Sequence, residues 1–280
     1  MALKPKYDTV LVEKRDRIAW VTFNRPKKKN AMNPQLHFDM EHVLTNLETD
    51  EEIEVIVLTG AGDSWSAGMD LKEYFRETDN DPDARFRVTH ADRHWGWELL
   101  SWSRKSTIAM VNGHCFGGAW IPLSACDIVI TAEEATFGLS EINWGILPGG
   151  LVSKVIREVM SYRNALFYAM TGRTFDGTKA VEIGLATIAV PLAQLHEETE
   201  SVARELMQKS PAVLAHTKQA VRAVGHMDTE RAYDYLSAKL DALQFNDELE
   251  TRHRGMQEFL DDKTYRPGFE PVARPGKRGS

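Results

Sequence analysis

A chain of 280 residues is long enough to bury a large core, and it suits one main domain with an appendage or two modest domains. Its hydrophobic content of 42% and charged content of 27% are those of a globular protein and argue against long disordered segments. The formal net charge of −7 argues against a dedicated binder of nucleic acid or of anionic membranes.

Neither a membrane protein nor a disulfide-rich protein is predicted. No apolar run reaches the roughly 18 residues that a membrane helix needs, and residues 1–8 lack the apolar centre of a signal peptide. Cys115 and Cys126 are too few for a disulfide framework, and no cluster of histidine, aspartate and glutamate has the spacing of metal ligands. We therefore expect a protein of the reduced cytoplasm that holds no metal ion.

In chain order, strands alternate with helices over the first half of the sequence. Residues 9–23 alternate like two strands with a polar break, and residues 54–59 predict a buried strand. Asn33 followed by Pro34 predicts a helix start, because asparagine caps free N–H groups and proline suits the first helical position. Three further elements are predicted in this half: a helix rich in aromatic residues at 86–100 and strands at 107–113 and 126–131.

Beyond Gly149 the pattern becomes mainly helical. Seven helices are predicted there, at 151–160, 163–170, 177–183, 193–209, 211–224, 229–243 and 247–260. The change of pattern predicts an α/β body over residues 1–200, a helical region over 201–265 and a loose tail over 266–280.

One stretch of the α/β body combines a strand, a glycine turn, a short helix, a second strand and a carboxylate. Gly117 and Gly118 let backbone N–H groups approach a ligand, and a helix start leaves N–H donors unpaired. Glu141 is the only carboxylate between Ala135 and Val152. In such apolar surroundings a carboxylate either forms an ion pair, for example with an arginine, or takes part in a reaction.

Several motifs occur in one order along nearly the whole chain: Asn24-Arg25-Pro26, residues 67–71, Asn112-Gly113, Gly117-Gly118, Cys126-Asp127, Phe137-Gly138 and Glu141. Together they resemble the crotonase (enoyl-CoA hydratase/isomerase) superfamily. Within it, residues 68–76, 115–118 and 139–146 are similar to the hydroxycinnamoyl-CoA hydratase-lyases, also called feruloyl-CoA hydratase/aldolases. The resemblance implies an α/β fold, a right-handed spiral of ββα units whose C-terminal helices join subunits into trimers, often paired as hexamers.

The activity that the resemblance implies is hydration of a 4-hydroxycinnamoyl-CoA such as feruloyl-CoA or coumaroyl-CoA, followed by retro-aldol cleavage. The products are acetyl-CoA and an aromatic aldehyde, vanillin or 4-hydroxybenzaldehyde. Coenzyme A is carried by the substrate, so no separate cofactor is implied. Two alternatives stay open: an enoyl-CoA hydratase that acts on a non-phenolic acyl-CoA without cleavage, and a non-catalytic crotonase-like binder of RNA or protein.

Three residues are implied in the chemistry. A thioester that reacts at its α- or β-carbon places negative charge on its carbonyl oxygen, and backbone N–H groups stabilise that charge. By resemblance the donors are the N–H groups of Met69 and Gly118, although Gly118 could also be a packing glycine. Glu141 is implied as the general acid and base, with a pKa raised by its apolar surroundings.

The acyl group is implied to lie among five residues: Tyr74, Trp120, Ile121, Tyr233 and Ser237. Tyr74 matches a tyrosine that binds the substrate's para-hydroxyl, and Tyr233, Ser237 or a water molecule is expected to supply a second contact. Ordinary enoyl-CoA hydratases have a second glutamate at the position of Ile121, and hydratase-lyases have a small hydroxylated residue there. Because isoleucine moves no proton, the two-carboxylate mechanism of the hydratases is disfavoured. Trp120 is bulkier than the family pattern and is expected to narrow the pocket.

Coenzyme A is implied to wrap around the first loop and residues 67–72. The residues expected to contact it are Lys27 or Lys28 at the phosphates, the backbones of Ala67 and Leu71 at the adenine and pantetheine, and Phe259 and Lys263 at the adenine of a neighbouring subunit. Solvated surface is the alternative for the three lysines. His114 is expected to be a packing residue.

Overall fold

The computed structural model describes residues 7–266, 268 and 271–274. The chain divides into two compact units, one of Met1–Ser103 and Thr107–Glu200 and the other of Arg104–Ser106 and Ser201–Ser280. Residues 1–6 of the predicted body, and 267, 269, 270 and 275–280 of the predicted tail, lie outside the described residues.

The α/β part of the chain contains two sheets. The described strands are β1 (Val10–Arg15), β2 (Ile18–Phe23), β3 (Val55–Gly60), β4 (Ser64–Ser66), β5 (Ser106–Val111), β6 (His114–Phe116), β7 (Ile128–Ala132), β8 (Thr136–Gly138), β9 (Phe175–Asp176) and β10 (Ile188–Val190). The larger sheet has the order β1-β2-β3-β5-β7-β10 and the smaller one the order β4-β6-β8-β9.

From β3 to β8, consecutive strands alternate between the two sheets. This is the arrangement that repeated ββα units produce, because each unit contributes one strand to each sheet. In the larger sheet β2 pairs in parallel with β3, β5 with β7 and β7 with β10, and in the smaller sheet β4 with β6 and β6 with β8. Antiparallel pairs occur at the margins, between β1 and β2 and between β8 and β9.

The core lies on both faces of the larger sheet. All six residues of β3 are buried, as expected for a parallel strand that is covered on both sides. The largest fully buried side chains include Trp65, Trp95, Trp120, Phe23 and Phe137. The loops that follow the strands are therefore anchored in a close-packed interior.

The described α-helices are α1 (Pro34–Glu48), α2 (Pro82–Arg93), α3 (Leu100–Trp102), α4 (Trp120–Ala125), α5 (Val152–Val159), α6 (Tyr162–Thr171), α7 (Gly177–Glu182), α8 (Leu195–Leu206), α9 (Pro211–Val224), α10 (Thr229–Asn246) and α11 (Thr251–Leu260). Short 3₁₀ turns cover Pro26–Lys28, Gly117–Ala119, Glu141–Trp144 and Leu192–Gln194, and π-helical turns cover Leu71–Arg76 and His94–Leu99. The predicted start of α1 is confirmed, since Oδ1 of Asn33 accepts the N–H of Leu36 at 3.0 Å.

Three local predictions differ from the structure. The aromatic helix predicted at 86–100 is α2 as far as Arg93, followed by the π-helical turn His94–Leu99. The helix predicted from residue 247 begins only at Thr251, because Glu250 takes a left-handed conformation (φ +48°) and Asp247 accepts the N–H of Thr251 at 2.8 Å. Strand β4 was not predicted, since its three residues are too few for a period-2 pattern.

The second unit is helical, with α9, α10 and α11 as its main elements. It exposes large apolar side chains, among them Val221 (69% exposed) and Phe245 (90% exposed). Exposed apolar surface on this scale is typical of a face that another protein covers. None of the helices that the structure describes has the length and apolar character needed to cross a bilayer.

Candidate active site

Three loops meet at one edge of the smaller sheet. Strands β4, β6 and β8 run parallel, with Cys115 opposite both Ser66 and Phe137 and with Phe116 opposite Gly138. The carboxyl ends of parallel strands lie at the same edge, so the segments that follow these strands are neighbours. Those segments carry Met69, Gly117 with Gly118, and Glu141, respectively.

The first two loops touch through glycine. Gly68 has φ of +89°, and a Cβ added to it would lie 2.6 Å from the carbonyl oxygen of Phe116 and 3.3 Å from the nitrogen of Gly118. A side chain at position 68 would push the loops apart, which explains the need for glycine. The side chain of Met69 lies over Gly118, because a Cβ on Gly118 would be 2.9 Å from both Cγ and Cε of Met69.

The N–H groups of Met69 and Gly118 are both available. Met32 donates its N–H to the carbonyl of Gly68 (2.8 Å) and accepts the N–H of Asp70 (2.9 Å). In such a parallel bridge the residue between the two bonds, Met69, directs its own N–H away from Met32. Among the residues that the structure describes, neither the Met69 N–H nor the Gly118 N–H donates a hydrogen bond.

Glu141 begins the 3₁₀ turn Glu141–Trp144 and lies beside Gly117. A Cβ added to Gly117 would be 3.2 Å from its Oε1. Its Oε2 is buried and has no hydrogen-bond partner among the described residues, and burial raises the pKa of the carboxyl above its usual value. An ion pair with an arginine, the structural alternative for Glu141, is therefore not what the described residues form.

The arginine of the Asn24-Arg25-Pro26 motif braces the loop that carries Met69. Arg25 donates from Nη1 to Oδ2 of Asp70 (3.0 Å) and from Nη2 to Oε1 of Glu73 (2.7 Å). Asp70 in turn accepts the N–H groups of Lys72 and Glu73. Burial works against the charge of Asp70, but the Glu73 N–H and the Arg25 guanidinium hold the pKa of Asp70 below its usual value. The motif in the sequence did not predict this role for Arg25.

Tyr74 lies in the π-helical turn after Met69 and is 5% exposed. Its hydroxyl donates to Oδ2 of Asp92 at 3.1 Å. The guanidinium of Arg85 lies 5.2 Å from the centre of the tyrosine ring. Burial raises the pKa of Tyr74, and the carboxyl of Asp92 adds to that rise. The contact expected between Tyr74 and a substrate hydroxyl stays a prediction.

Asp92 and His37 form a buried polar cluster with Tyr74 that the sequence analysis missed. His37 Nδ1 accepts the indole N–H of Trp95 at 2.9 Å and lies 3.5 Å from Oδ1 of Asp92. Burial raises the pKa of Asp92 to about 7, against the opposing hydrogen bond from Tyr74, and burial lowers the pKa of His37 to about 3. A signal existed in the sequence, since Asp92 follows the buried Val88 by four residues and so shares its helix face.

The helix after Gly118 carries Trp120 and Ile121, which are both buried. The Trp120 indole donates to the carbonyl of Cys115 (3.1 Å), and its ring packs edge-on against Phe175. Ile121 faces Gly150, since its Cδ1 would be 3.4 Å from a Cβ at that position. His114 Nδ1 lies 3.3 Å from the carbonyl oxygen of Asp63, which can only accept a hydrogen bond from it.

The residues expected to contact coenzyme A lie in both units. Lys27 and Lys28 are exposed in the 3₁₀ turn Pro26–Lys28, Ala67 is exposed and donates its N–H to the carbonyl of Lys29 (2.8 Å), and Leu71 is 48% exposed. In the second unit Phe259 is 46% exposed and lines a cavity of about 510 Å³, and Lys263 is exposed.

Two more predicted residues lie on α10 of the second unit. Tyr233 is 77% exposed, and Oγ of Ser237 donates to the carbonyl of Tyr233 at 2.9 Å. The Ser237 hydroxyl is thus bonded to its own helix. The phenol contact expected of Tyr233 or Ser237 stays a prediction.

A family model described as enoyl-CoA hydratase/isomerase matches residues 13–269. The chain belongs to this family. Hydratase/isomerase family relatives include a hydroxycinnamoyl-CoA hydratase-lyase of Pseudomonas fluorescens, which is 50% identical over 96% of this chain and 98% of its own length. A short-chain-enoyl-CoA hydratase of Clostridium acetobutylicum is 30% identical over 82% of this chain and 87% of its own length.

Solved structures confirm the fold of this hydratase/isomerase family member. An enoyl-CoA hydratase from Bacillus anthracis superposes with a TM-score of 0.83 at 24% identity, over 95% of this chain and 99% of that one. The predicted α/β spiral of ββα units with C-terminal helices is therefore confirmed, as is the predicted membership of the crotonase superfamily.

Proposed function

We propose that the protein hydrates the double bond of a 4-hydroxycinnamoyl-CoA and then cleaves the product to an aromatic aldehyde and acetyl-CoA. The observation that carries this proposal is the juxtaposition of Glu141, whose buried Oε2 has no hydrogen-bond partner among the described residues, with two available N–H groups on neighbouring loops. The full-length similarity to a hydroxycinnamoyl-CoA hydratase-lyase supports the choice of substrate.

The N–H groups of Met69 and Gly118 would hold the thioester oxygen. Addition of water at the β-carbon and cleavage beside it both place negative charge on that oxygen. Donors fixed in advance stabilise the charge without reorganisation, and removal of one typically lowers the rate by about 100–1000-fold. Both donors belong to the backbone, and the glycine contact between their loops keeps them together.

Glu141 would move the protons. In the hydration step the carboxylate takes a proton from water as oxygen adds to the β-carbon, and the resulting acid gives a proton to the α-carbon. Burial, which raises the pKa of Glu141, brings it towards the working pH, where one group can act as base and then as acid. A second carboxylate is not required, in keeping with Ile121.

Cleavage would use the same carboxylate. Glu141 removes the β-hydroxyl proton, the C–O bond becomes the aldehyde C=O, and the bond between the α- and β-carbons breaks. Its electron pair forms the enolate of acetyl-CoA on the oxygen held by Met69 and Gly118. The α-carbon then takes the proton back from Glu141, which restores the carboxylate.

Coenzyme A would arrive as part of the substrate, so no separate cofactor is proposed. Lys27 and Lys28 are exposed, so their ammonium groups are accessible to the phosphates of coenzyme A. Phe259 and Lys263 would contact the adenine of coenzyme A bound to a neighbouring subunit. Exposed apolar side chains on α9 and α10 support assembly into a homotrimer or a dimer of trimers. The two buried thiols, Cys115 and Cys126, suit the reduced cytoplasm, where acyl-CoA substrates occur.

Hydration without cleavage, on a non-phenolic acyl-CoA, is the second candidate. The apolar Ile121 favours it, because isoleucine offers no hydroxyl contact that a phenolic substrate would use. Incubation with feruloyl-CoA decides between the two. We expect vanillin and acetyl-CoA in equal amounts, and none from a Glu141→Gln variant.

A β-hydroxy thioester that accumulates without aldehyde would establish the second candidate instead. If neither feruloyl-CoA nor crotonyl-CoA is consumed, both enzymatic readings are wrong, and a binding role becomes the conclusion.

A further inference from the structure

The cluster around Tyr74 joins the π-helical turn that follows Met69 to helix α2. Tyr74 follows Met69 by five residues, in the turn that Asp70 caps. Oδ1 of Asp92 would be 3.7 Å from a Cβ on Gly96, and that same position is 4.0 Å from Cδ of Pro122, in the helix that follows Gly118. The family resemblance implies that the substrate's para-hydroxyl meets Tyr74, and Asp92 lies directly behind the Tyr74 hydroxyl.

The hydrogen-bond direction limits what Tyr74 can bind. A tyrosine hydroxyl carries one hydrogen, and here that hydrogen is donated to Asp92. The remaining lone pair can only accept a hydrogen bond. A substrate hydroxyl that meets Tyr74 must therefore be the donor, which a phenol can be and an aryl ether cannot.

On the side of Asp92 that faces away from Tyr74, no described residue donates a hydrogen bond to the carboxyl. His37 Nδ1 already accepts the indole N–H of Trp95, so its single lone pair is occupied and it offers no hydrogen to Oδ1 of Asp92, 3.5 Å away. Oδ1 and His37 Nε2 have no hydrogen-bond partner among the described residues. A buried carboxylate oxygen without a donor disfavours the charged form of Asp92 and favours its protonated form.

We propose that Asp92 is the proton acceptor of the phenol site, acting through Tyr74, and that it selects substrates with a free para-hydroxyl. The phenol O–H bond breaks as its proton passes to the Tyr74 oxygen, while the proton of Tyr74 passes to Oδ2 of Asp92. One negative charge thus moves from the carboxylate to the phenol oxygen, and no other reactant is needed. This inference rests on the proposed function.

The negative charge on the phenol oxygen would spread into the aromatic ring. A phenolate delocalises its electrons towards the β-carbon, the atom where water adds and where the C–C bond breaks. The charged and titratable groups that face the relay are His37 from α1, Tyr74 from the π-helical turn and Arg85 from α2. Of these, Arg85 favours the negative charge, whereas His37 stays neutral because burial lowers its pKa to about 3. Asp92 touches neither the thioester nor the reacting carbons and is a positioning residue.

Asp92→Asn tests the inference, because asparagine keeps the shape and still accepts the Tyr74 hydrogen bond but takes no proton. We expect kcat for feruloyl-CoA to fall by about 100-fold, the size of a lost proton transfer. Hydration of cinnamoyl-CoA and of 4-methoxycinnamoyl-CoA should change by less than about twofold, since neither donates a para-hydroxyl proton. Asp83→Asn, which removes a charge from the exposed start of the same helix, should leave all three rates unchanged.

The pH profile separates this role from a structural one. Burial raises the pKa of Asp92 to about 7, and only the carboxylate accepts a proton. The feruloyl-CoA rate of the native protein should therefore rise with pH through that value, while the cinnamoyl-CoA rate should not. Asp92→Asn should abolish the difference. Equal losses on all three substrates, with unchanged profiles, would make Asp92 a packing residue and overturn the inference.

A binding measurement makes the result independent of turnover. In Glu141→Gln, bound feruloyl-CoA should show the red-shifted absorption of a phenolate above about pH 7, the value to which burial raises the pKa of Asp92. The phenolate band should be absent from the double variant Glu141→Gln, Asp92→Asn. It should also be absent from the double variant Glu141→Gln, Tyr74→Phe, which removes the hydroxyl between the phenol and Asp92 and so tests the relay even if Asp92→Asn fails to fold. A band that survives both changes refutes the relay, whereas absence of aldehyde from the native protein refutes only the proposed function.

Discussion

The carboxyl of Glu141 lies directly against Gly117. A methyl group on Gly117 would be 3.2 Å from Oε1 and 3.5 Å from Cδ of Glu141, and Gly117 has φ of +54°. Glu141, the proposed acid, thus contacts Gly117, the residue immediately before the proposed N–H donor Gly118. This contact sets the distance between the groups that act on the thioester.

We expect Gly117→Ala to displace the Glu141 carboxyl. The added Cβ meets Oε1 at a distance that real contacts rarely show, so the carboxyl must shift by a few tenths of an ångström. Small misplacements of this kind lower kcat by up to about 100-fold, and the left-handed φ costs a further 1–2 kcal/mol or so of stability. Steady-state kinetics and urea unfolding measure the two effects.

Gly145→Ala is the matched control. Gly145 also has a positive φ (+75°), but a Cβ there would meet nothing within 4 Å. It should lose a similar stability and keep its kcat. A similar loss of kcat in both variants would mean that backbone strain, and not the contact with Glu141, determines the rate.

The acidic limb of the pH–rate profile should report Glu141. Burial disfavours the charged carboxylate and so raises its pKa, and the base must be charged to activate water. Activity towards cinnamoyl-CoA should therefore fall, as pH decreases, at a pH higher than the value of about 4.3 for an exposed glutamate. A limb at or below that value would place the titration on another group.

Arg25→Met should loosen the loop that carries Met69. The substitution leaves Asp70 and Glu73 without their cation, and breaking such a pair away from solvent costs about 3 kcal/mol. Because the pKa of Asp70 is lowered in the folded state, its contribution is present above the unfolded value of about 3.9 and is lost as pH falls through the lower folded value. The difference in unfolding free energy from the native protein should therefore shrink below about pH 4.

Lys29→Met provides the comparison for Arg25→Met, since it breaks a pair with the exposed Asp63. Surface pairs contribute little, so urea unfolding at pH 7 should be nearly unchanged. If the two variants unfold alike, the Arg25 network is not a brace.

Ser210→Ala should destabilise the helical unit. Ser210 caps α9, accepting the N–H of Val213, and its hydroxyl donates to Oδ1 of Asp247 at 2.8 Å, which also holds the start of α11. Loss of the cap costs about 1 kcal/mol, and loss of one of the two hydrogen bonds that Asp247 Oδ1 accepts costs about as much again. Ser161→Ala removes a cap on α6 that has no such carboxylate partner, and it should cost only half as much in urea unfolding.

Regular patterning explains which parts of the fold the sequence predicts. The alternation at residues 9–23, the Asn33-Pro34 cap and the Pro211 start each depend on local chemistry, and the structure has elements at those places. The division of strands between two sheets does not follow from local chemistry, because short strands such as β4 and β6 carry no usable period. The family resemblance supplied that part.

The residues of the candidate site likewise fall into those that the sequence predicts and those that it does not. Glycines and a lone glutamate are conspicuous in an apolar sequence, so Gly117, Gly118 and Glu141 could be selected from it. Asp92 and His37 were missed, because a polar residue in an amphipathic helix normally faces water, although Asp92 follows the apolar Val88 by four residues. Their burial is decided by the turn that brings Tyr74 over α2, a contact between residues 18 positions apart.

The two proposed oxyanion donors are main-chain atoms, and this affects how the protein can diverge. No exchange of side chain deletes an amide hydrogen, other than to proline, so mutation around the acyl chain can alter which thioester is accepted while the activating groups are inherited intact. Proteins with this fold can therefore change their substrate specificity through single substitutions in the pocket without losing the two N–H donors.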